Sequence, residues 1–471
     1  MAARWRVGGV GRVWALLPVA APFFVALTAT MGAVDLAYHV RVGEQIVASG
    51  SLPRVDTFSF TASGTSWLDQ QWGAQVLLLA GYRASGWAGL VVLRAALISA
   101  TCGLVYLACR ARGANRRSSS LLTLAGVVVG MRGLALRPQL FVLPLVAGCL
   151  WILAGRRAHP RRLAWLPVLA AAMANLHGAF VLVPVIAGLA VVEDVIERDS
   201  GVARTLLTGV AATAATLVNP FGTEAWRYAY RIATNPVIRD TISEWRPISV
   251  ATISGAVFVT SIVLLVLLFI RKGRPVDLAA IAWLTVFGSL AVPASRGIVL
   301  WGLVAPTVTA RMMPARDEEG PTSSSRLIAA GVIAVAALAA MTVPLWRGTS
   351  AEELLTRAPG GLTAAVMREV PAGTDLFVWQ PWGSWFEFAI PQDRVFVDSR
   401  IELYPAPVWR EYGQVRLAEG SWSSILAAYD VGAIVIDAEN DTLRPRLMGE
   451  PAWTLVYQDG DGSLFVRRDP A

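Results

Sequence analysis

Residues 31–72 read MGAVDLAYHVRVGEQIVASGSLPRVDTFSFTASGTSWLDQQW, and this stretch follows the first long apolar segment of the chain. It carries Asp35, His39, Asp56 and Asp69 among aromatic residues, prolines and glycines. Acidic residues at the mouth of a membrane helix are energetically costly and usually mark a functional site. We therefore expect this first loop to hold a site, and the chain that follows to be a membrane scaffold around it.

Composition places the chain in a membrane. Of its 471 residues 55% are hydrophobic, the mean hydropathy is +0.53, and apolar runs of about twenty residues recur, long enough to cross a bilayer. The formal charge of +8 comes from arginines between apolar runs, which form no basic domain, so we exclude nucleic acid as a partner. These arginines are typical of topology signals, and the partners they indicate are membrane lipids.

The apolar runs predict about eleven helical spans. They lie near residues 13–32, 88–109, 119–131, 140–154, 163–174, 179–192, 205–218, 250–270, 276–292, 297–309 and 326–345. Arginine clusters alternate with the spans and place the N-terminus in the cytoplasm, which makes the chain an integral plasma-membrane protein with a long outer loop at 223–249. The predicted domains are a membrane domain at 1–346, with its first outer loop at 33–87, and a soluble extracytoplasmic domain at 347–471.

The C-terminal region has globular composition. Strands are predicted at 375–380, 394–400, 433–438, 453–458 and 463–468, where apolar and β-branched residues cluster. Helices are predicted at 362–370, 407–417 and 421–429. Asp459-Gly-Asp-Gly462 between the last two strands is typical of a hairpin. The fold class is therefore a polytopic α-helical membrane protein with a small C-terminal α/β domain.

The same alternation places a set of polar residues on the outer side. Its members, together with the first loop, are Arg137, His177, Asn219, Glu244 and Arg296. The positive-inside rule did not choose these residues, so their clustering on one side is independent support for an outward-facing site. No P-loop, dinucleotide-binding, HExxH or GxSxG motif is present.

Short motifs in the chain resemble the GT-C superfamily of membrane glycosyltransferases, in particular its uncharacterised bacterial branch that is similar to dolichyl-phosphate-mannose-protein mannosyltransferases. The residues that carry the resemblance in the first loop are Asp35-Leu-Ala-Tyr-His39, Gly43 or Gly50, Pro53-Arg-Val-Asp56-Thr-Phe-Ser59 and Trp67. Further matches are Leu136-Arg-Pro-Gln139, Asn175-Leu-His-Gly178, Asn219-Pro-Phe-Gly222, Glu244-Trp-Arg-Pro247, Val397-Asp-Ser-Arg400 and Glu402-Leu-Tyr404. One position departs from the pattern, because Ala33 stands where the family often has a second acid.

The resemblance implies transfer of a sugar from a polyprenyl-phosphate donor to an envelope glycan, lipid or protein, with inversion. The catalytic candidates are Asp35, Asp56 and His39, since such a reaction needs a carboxylate to take or orient the proton of the acceptor hydroxyl. Arg137, Arg296 and Arg132 are the candidates for the donor phosphate, because a guanidinium matches phosphate oxygens. The substrate-binding candidates are His177, Asn219, Glu244 and Trp67. No metal ligands are assigned, and a divalent cation is left open.

Structural roles compete with each of these assignments. Asp35 could cap a helix or pair with Arg41, and Asp56 could form an Asx turn. His39 and His177 could be structural, while Arg137 and Arg296 could reach to lipid headgroups. Two other functions also remain: a transporter or flippase of a lipid-linked sugar, and a non-catalytic envelope scaffold, which Ala33 keeps open.

Overall fold

The computed structural model describes residues 9–32, 34–272, 277–315, 331, 350–440 and 442–468. The chain divides into two compact units. The helical unit comprises Met1–Ala29, Val91–Arg231 and Ile242–Arg347, and the α/β unit comprises Thr30–Leu90, Ile232–Thr241 and Gly348–Ala471. Regions 30–90 and 348–471, which the sequence assigned to different domains, thus share one unit.

Apolar helices of 11 residues or more make up most of the helical unit. They are α1 (Gly9–Thr28), the second half of α3 (Trp72–Ala111), α4 (Arg116–Gly130), α5 (Pro138–Ala154), α6 (Leu166–Leu176), α7 (Leu182–Ile196), α8 (Val202–Ala215), α11 (Ile253–Lys272), α12 (Leu278–Ala291) and α13 (Ile298–Thr309). Each of the first ten predicted spans overlaps one of these helices, so the predicted helices are confirmed.

The number of spans stays a prediction. Three helices among the described residues are long and apolar enough to cross a membrane: Trp72–Ala111, Gly178–Ile196 and Ile253–Lys272. Shorter apolar helices accompany them at Val13–Thr28, Pro138–Ala154, Val202–Ala215 and Leu278–Ala291. The eleventh predicted span lies outside the described residues, apart from Gly331, and so does Ala33.

Glycines allow α4 and α13 to approach closely. A Cβ atom added at Gly126 would lie 2.2 Å from the carbonyl oxygen of Gly302, and one at Gly302 would lie 2.5 Å from that of Gly126. Such a distance is far below van der Waals contact, so only residues without a Cβ fit both positions. Packing between small residues is a common way for membrane helices to associate.

A buried ionic cluster joins helix ends within the helical unit, and the sequence did not predict it. Glu193 and Asp194, in the last turns of α7, are each 1% exposed. The Nη2 atom of Arg156 lies 3.2 Å from Glu193 and 2.5 Å from Asp194, and the Nη2 atom of Arg311 lies 3.3 Å from Glu193. Trp283 donates its indole N–H to the same glutamate at 3.1 Å. Because the buried charges are paired, they can lie inside the protein.

The region 223–249, which was predicted as a long outer loop, contains short helices. Helix α9 (Glu224–Thr234), helix α10 (Pro236–Thr241) and a 3-10 turn at Ser243–Trp245 occupy most of it. Asn219 hydrogen-bonds the Phe221 N–H at 2.8 Å and forms the turn that precedes them.

The α/β unit contains a five-stranded sheet in the order β4-β3-β5-β7-β6. Its strands are β3 (Asp375–Val378), β4 (Arg394–Val395), β5 (Ala433–Asp437), β6 (Trp453–Gln458) and β7 (Gly462–Arg467). Strands β3, β4 and β5 are parallel, and β7 pairs antiparallel with β5 and β6. A separate parallel pair joins β1 (Met31–Gly32), which directly precedes the first loop in sequence, to β2 (Leu355–Thr356).

The helices of the α/β unit complete its fold. They are α2 (Leu36–Ser49), the first half of α3, α10, α14 (Ala351–Leu354), α15 (Gly360–Glu369), α16 (Gln380–Ala389), α17 (Ala406–Leu417), α18 (Trp422–Ala428) and α19 (Leu443–Gly449). The predicted small α/β domain is confirmed, including its hairpin. The strand predicted at 394–400 is only two residues long, and α16 was not predicted, because its sequence QPWGSWFEFA is rich in strand-forming aromatic residues.

Candidate active site

Asp35 lies at the start of α2, at the N-cap position, and its side chain makes no capping hydrogen bond. It is half-buried. The residue that was its alternative partner, Arg41, pairs with Glu44 at 2.8 Å. Asp35 and His39 are one helical turn apart, so they lie on the same face of α2.

Asp56, by contrast, is buried and bonded to other residues of the α/β unit. Its carboxylate accepts hydrogen bonds from the N–H groups of Phe58 and Ser59 at 3.2 and 3.1 Å, and from the Ser59 hydroxyl at 2.6 Å. The side chain is 0% exposed and lies 2.8 Å from the Nη2 atom of Arg400. Asp56 therefore forms the Asx turn that was its structural alternative. We do not include it among the catalytic residues that we propose.

Arg400 is the centre of a buried ionic cluster, which we call the Arg400 centre: Arg400, Asp56, Asp398 and Glu387. Arg400 Nε donates to Asp398 at 2.9 Å, and Nη2 lies 3.5 Å from Glu387. Burial alone would raise the pKa of Asp398, but the charge of Arg400 outweighs it and holds that pKa below its usual value. Burial, followed by the negative charge of Asp398, raises the pKa of Glu387 well above its usual value, so we expect Glu387 to be protonated at neutral pH.

Aromatic rings enclose the Arg400 guanidinium. The ring centroids of Trp67, Phe58 and Tyr38 lie 4.7, 5.1 and 5.8 Å from its central carbon. Trp67, which the sequence suggested as a substrate-binding residue, is 5% exposed, so we assign it to the packing of this centre. Asp398 and Arg400, which belong to one of the motif matches in the sequence, form an ion pair.

A second buried polar group, the His39 relay, consists of His39, Gln75 and Asp69. The Gln75 Nε2 atom donates to Asp69 Oδ1 at 2.8 Å and lies 3.3 Å from His39 Nδ1. All three residues are at most 3% exposed. Gln75 was not predicted from the sequence, because no local pattern signals a contact with a residue 36 positions earlier.

Asp69 gives the α/β unit a predicted pH dependence. Burial raises its pKa to about 7, whereas the pKa in the unfolded chain is about 3.9. Between about pH 4 and pH 7, Asp69 is therefore still protonated in the folded protein but ionised in the unfolded chain. The free energy of unfolding falls as the pH rises through this range. Hydrogen exchange of the β5 amides at several pH values measures the effect, which Asp69→Asn should remove. The control Glu419→Gln, at an exposed residue, should retain the pH dependence. If stability depends on pH as steeply in Asp69→Asn as in the wild type, Asp69 is not the group responsible.

In the helical unit, Arg137, Arg296, Glu244, Trp245 and Gln139 form a group that we call the arginine cluster. Arg137 Nη1 donates to Glu244 Oε1 at 3.0 Å. Arg296 stacks on Trp245, 4.4 Å from the ring centroid, and its Nη2 lies 3.4 Å from Gln139 Oε1. The structure thus brings together Arg137, Arg296 and Glu244, which the sequence singled out separately.

The remaining predicted residues of the helical unit have local partners. His177 Nδ1 accepts the Ala179 N–H at 3.0 Å; burial and then the charge of Arg296 lower its pKa to about 3, so the ring is neutral. Asn219 shapes the turn described above. Arg132 donates to the Ser254 hydroxyl at 3.3 Å, which gives it a different contact from Arg137 and Arg296.

An apolar cleft opens between α3, α4 and α13. Its lining includes Ile98, Cys102, Val105, Leu134, Val299 and Leu303. Leu134 and Val299 are each three residues from an arginine of the cluster, Arg137 and Arg296. Apolar surface and the side chains of these two arginines are therefore close in sequence here.

The candidate residues that the structure describes do not form a divalent-cation site. Among the described residues no group of three or more His, Cys, Asp or Glu side chains is arranged to hold a metal ion. Asp56 is bonded to Arg400, and His39 Nδ1 faces Gln75. Divalent hard cations take about six or more oxygen ligands, so we derive no step through a metal.

No protein-family model matches the sequence, and no curated protein matches it. Among solved structures, ArnT from Cupriavidus metallidurans in the apo state has a TM-score of 0.56 and 16% identity, covering 96% of this chain and 97% of that chain. The same protein bound to undecaprenyl phosphate has a TM-score of 0.55 and 16% identity, over 97% and 98%. The chain has the GT-C fold.

A second GT-C structure is similar over most of its length. The Archaeoglobus fulgidus oligosaccharyltransferase, tethered with an acceptor peptide containing the NVT sequon, has a TM-score of 0.55 and 11% identity, covering 97% of this chain and 74% of that chain. The GT-C resemblance drawn from the first loop is therefore confirmed at the level of the fold. Apolar helices and the GT-C fold together make this an integral membrane protein.

Proposed function

We propose that the chain is a glycosyltransferase that moves a sugar from a polyprenyl-phosphate donor to an extracytoplasmic glycan, lipid or protein, with inversion. The observation that carries the proposal is the position of Asp35. Asp56 and Asp69 are buried within the α/β unit, whereas Asp35 is half-buried at the start of α2. Among the three aspartates of the first loop, Asp35 is thus the one with a partly exposed side chain.

Asp35 is assigned the role of general base. As the acceptor hydroxyl oxygen attacks the anomeric carbon of the sugar, its proton passes to the Asp35 carboxylate. The bond between that carbon and the phosphate oxygen breaks at the same time, and the electron pair leaves with the lipid phosphate. A single displacement of this kind inverts the anomeric centre.

Arg137 and Arg296 are assigned to the donor phosphate. The phosphate gains negative charge as it leaves, and planar guanidinium groups bind phosphate oxygens through paired hydrogen bonds. Support for this donor class comes from the ArnT structure with undecaprenyl phosphate, and support for an acceptor site from the tethered peptide of the oligosaccharyltransferase. We place the N-terminus in the cytoplasm and the C-terminal region outside.

The direct test is transfer of radiolabelled sugar in membranes that contain the protein. A panel of polyprenyl-phosphate sugars serves as donors, with and without a chelator to decide the open question of a divalent cation. We expect transfer from at least one donor. If membranes with abundant, folded protein transfer no sugar, the proposal is contradicted and the flippase or the scaffold is favoured. Movement of intact donor across the bilayer would then indicate the flippase, and its absence the scaffold.

Arg296→Gln is expected to lower kcat/KM for the donor by about 10- to 100-fold, since a hydrogen bond to a charged group contributes about 1.5–3 kcal/mol. The matched control is Arg227→Gln, because Arg227 is an exposed arginine of the helical unit that pairs with Glu224 on α9. Initial rates at several donor concentrations measure both variants. Equal losses in the two would show that Arg296 has no special role.

A further inference from the structure

Glu244 is the carboxylate of the arginine cluster. The Nη1 atom of Arg137 donates to both carboxylate oxygens of Glu244, at 3.0 and 3.2 Å. The next residue, Trp245, stacks on Arg296, so Glu244 lies close to both arginines that we assign to the donor phosphate. The side chains of Arg137 and Glu244 are 38% and 41% exposed, so neither is enclosed by the protein.

Glu244 compensates only part of the positive charge of the arginine cluster. Arg296 contacts neutral groups, namely the ring of Trp245 and the amide oxygen of Gln139, which lies 3.4 Å from its Nη2 atom. Burial lowers the pKa of Arg296; the negative charge of Glu244 opposes this effect, and the positive charge of Arg137 adds to it. Because the cluster has two guanidinium groups and one carboxylate, one positive charge is left for a ligand.

The backbone holds Glu244 beside Arg296. The Ser295 hydroxyl donates to the carbonyl oxygen of Glu244 at 3.3 Å, and the Ser295 N–H donates to the carbonyl oxygen of Arg246 at 3.0 Å. These bonds attach the segment of Glu244 to the turn between α12 and α13, which carries Arg296. The main chain thus fixes the position of Glu244 relative to Arg296, and the pair with Arg137 orients its carboxylate.

The two lipid phosphates of the proposed reaction differ in charge. A polyprenyl-phosphate sugar is a phosphodiester with a single negative charge. The lipid phosphate that leaves is a monoester, and since the second pKa of a phosphomonoester is about 6, it carries close to two negative charges at neutral pH. The positive charge left on the arginine cluster therefore balances the charge of the donor but not that of the product.

We infer that Glu244 is a specificity residue, which matches the charge of the arginine cluster to the singly charged donor and weakens binding of the doubly charged lipid phosphate product. The inference rests on the proposed function, since it takes the cluster as the donor-phosphate site. Without the carboxylate the cluster would carry two positive charges and would retain the monoester. Glu244 thus promotes release of the product after each transfer.

The test is equilibrium binding of two radiolabelled lipids to the full-length protein in detergent at about pH 8. One lipid is undecaprenyl phosphate, and the other is its methyl ester, which has the same chain but a single negative charge. Glu244→Gln keeps the size of the side chain and removes its charge. Because the electrostatic gain is proportional to the charge of the ligand, we expect this variant to bind the methyl ester about 3-fold and undecaprenyl phosphate about 10-fold more tightly than the wild type.

Two variants serve as controls. Glu224→Gln makes the same change at another glutamate of the helical unit, whose side chain is 46% exposed and pairs with Arg227, and it should bind both lipids as the wild type does. Glu244→Asp retains the charge and should keep the wild-type ratio of the two affinities. If Glu244 only held Arg137 in place, Glu244→Gln would lose affinity for both lipids to the same extent.

Transfer assays add a second measurement. Added undecaprenyl phosphate should inhibit transfer by Glu244→Gln at about one tenth of the concentration that the wild type requires. A ratio of the two affinities that is unchanged in Glu244→Gln would overturn this inference and leave the proposed function intact. Wild-type protein that binds neither lipid would overturn both, because the arginine cluster would then not be a site for lipid phosphate.

Discussion

Asp35→Asn is expected to reduce sugar transfer by about 10²- to 10⁴-fold, the usual contribution of general-base catalysis. Asparagine has nearly the shape of aspartate but cannot accept the hydroxyl proton. Since the Asp35 side chain makes no capping hydrogen bond, the change should leave α2 intact. The measurement is the initial rate of radiolabel transfer at saturating donor, normalised to the amount of folded protein.

Glu44→Gln is the matched control for Asp35→Asn. Glu44 lies on the same helix, its side chain is 48% exposed, and it forms a surface pair with Arg41. Exposed pairs of this kind contribute at most about 1 kcal/mol to stability, so the variant should fold and transfer as the wild type does. Wild-type transfer by Asp35→Asn at equal abundance would remove the carboxylate from the mechanism.

The contrast between Asp35 and Asp56 shows how far the sequence can predict this site. Both acids lie in the same loop and both suit catalysis by residue type. Only the fold reveals that Asp56 pairs with Arg400, a residue 344 positions later in the chain (400 − 56), because contacts between distant segments leave no local pattern. Gln75 was missed for the same reason.

Local patterns, in contrast, predicted the secondary structure well. Apolar runs marked the helices of the scaffold, since a lipid-facing helix must be apolar along its whole length. The hairpin at Asp459–Gly462 followed from turn chemistry alone. Glu193 and Asp194 lie just beyond the span predicted near 179–192, and their burial was not predicted, because a sequence does not show that arginines of other helices neutralise them.

Arg400→Met is expected to destabilise the α/β unit by about 3–5 kcal/mol, the usual effect of removing one partner from a buried ion pair. Methionine retains much of the apolar volume among Trp67, Phe58 and Tyr38. It leaves the carboxylates of Asp56 and Asp398 buried without their counter-ion, and burying an unpaired charge is costly. The free energy of opening of strand β5, measured by hydrogen exchange in the full-length protein, reports the loss.

Two comparisons separate the loss of charge pairing from a general effect of removing an arginine. Arg394→Met removes a bidentate pair with Asp375, at 2.9 and 3.0 Å, from the surface of the same unit. Because the Arg394 side chain is 45% exposed, we expect a loss below about 1 kcal/mol. Adding Asp56→Asn and Asp398→Asn to Arg400→Met should recover part of the stability, because the two buried carboxylates that have lost their counter-ion are then replaced by neutral amides. If Arg400→Met costs no more than Arg394→Met, or if neutralising the two acids recovers nothing, then the Arg400 centre does not stabilise the unit through its charges.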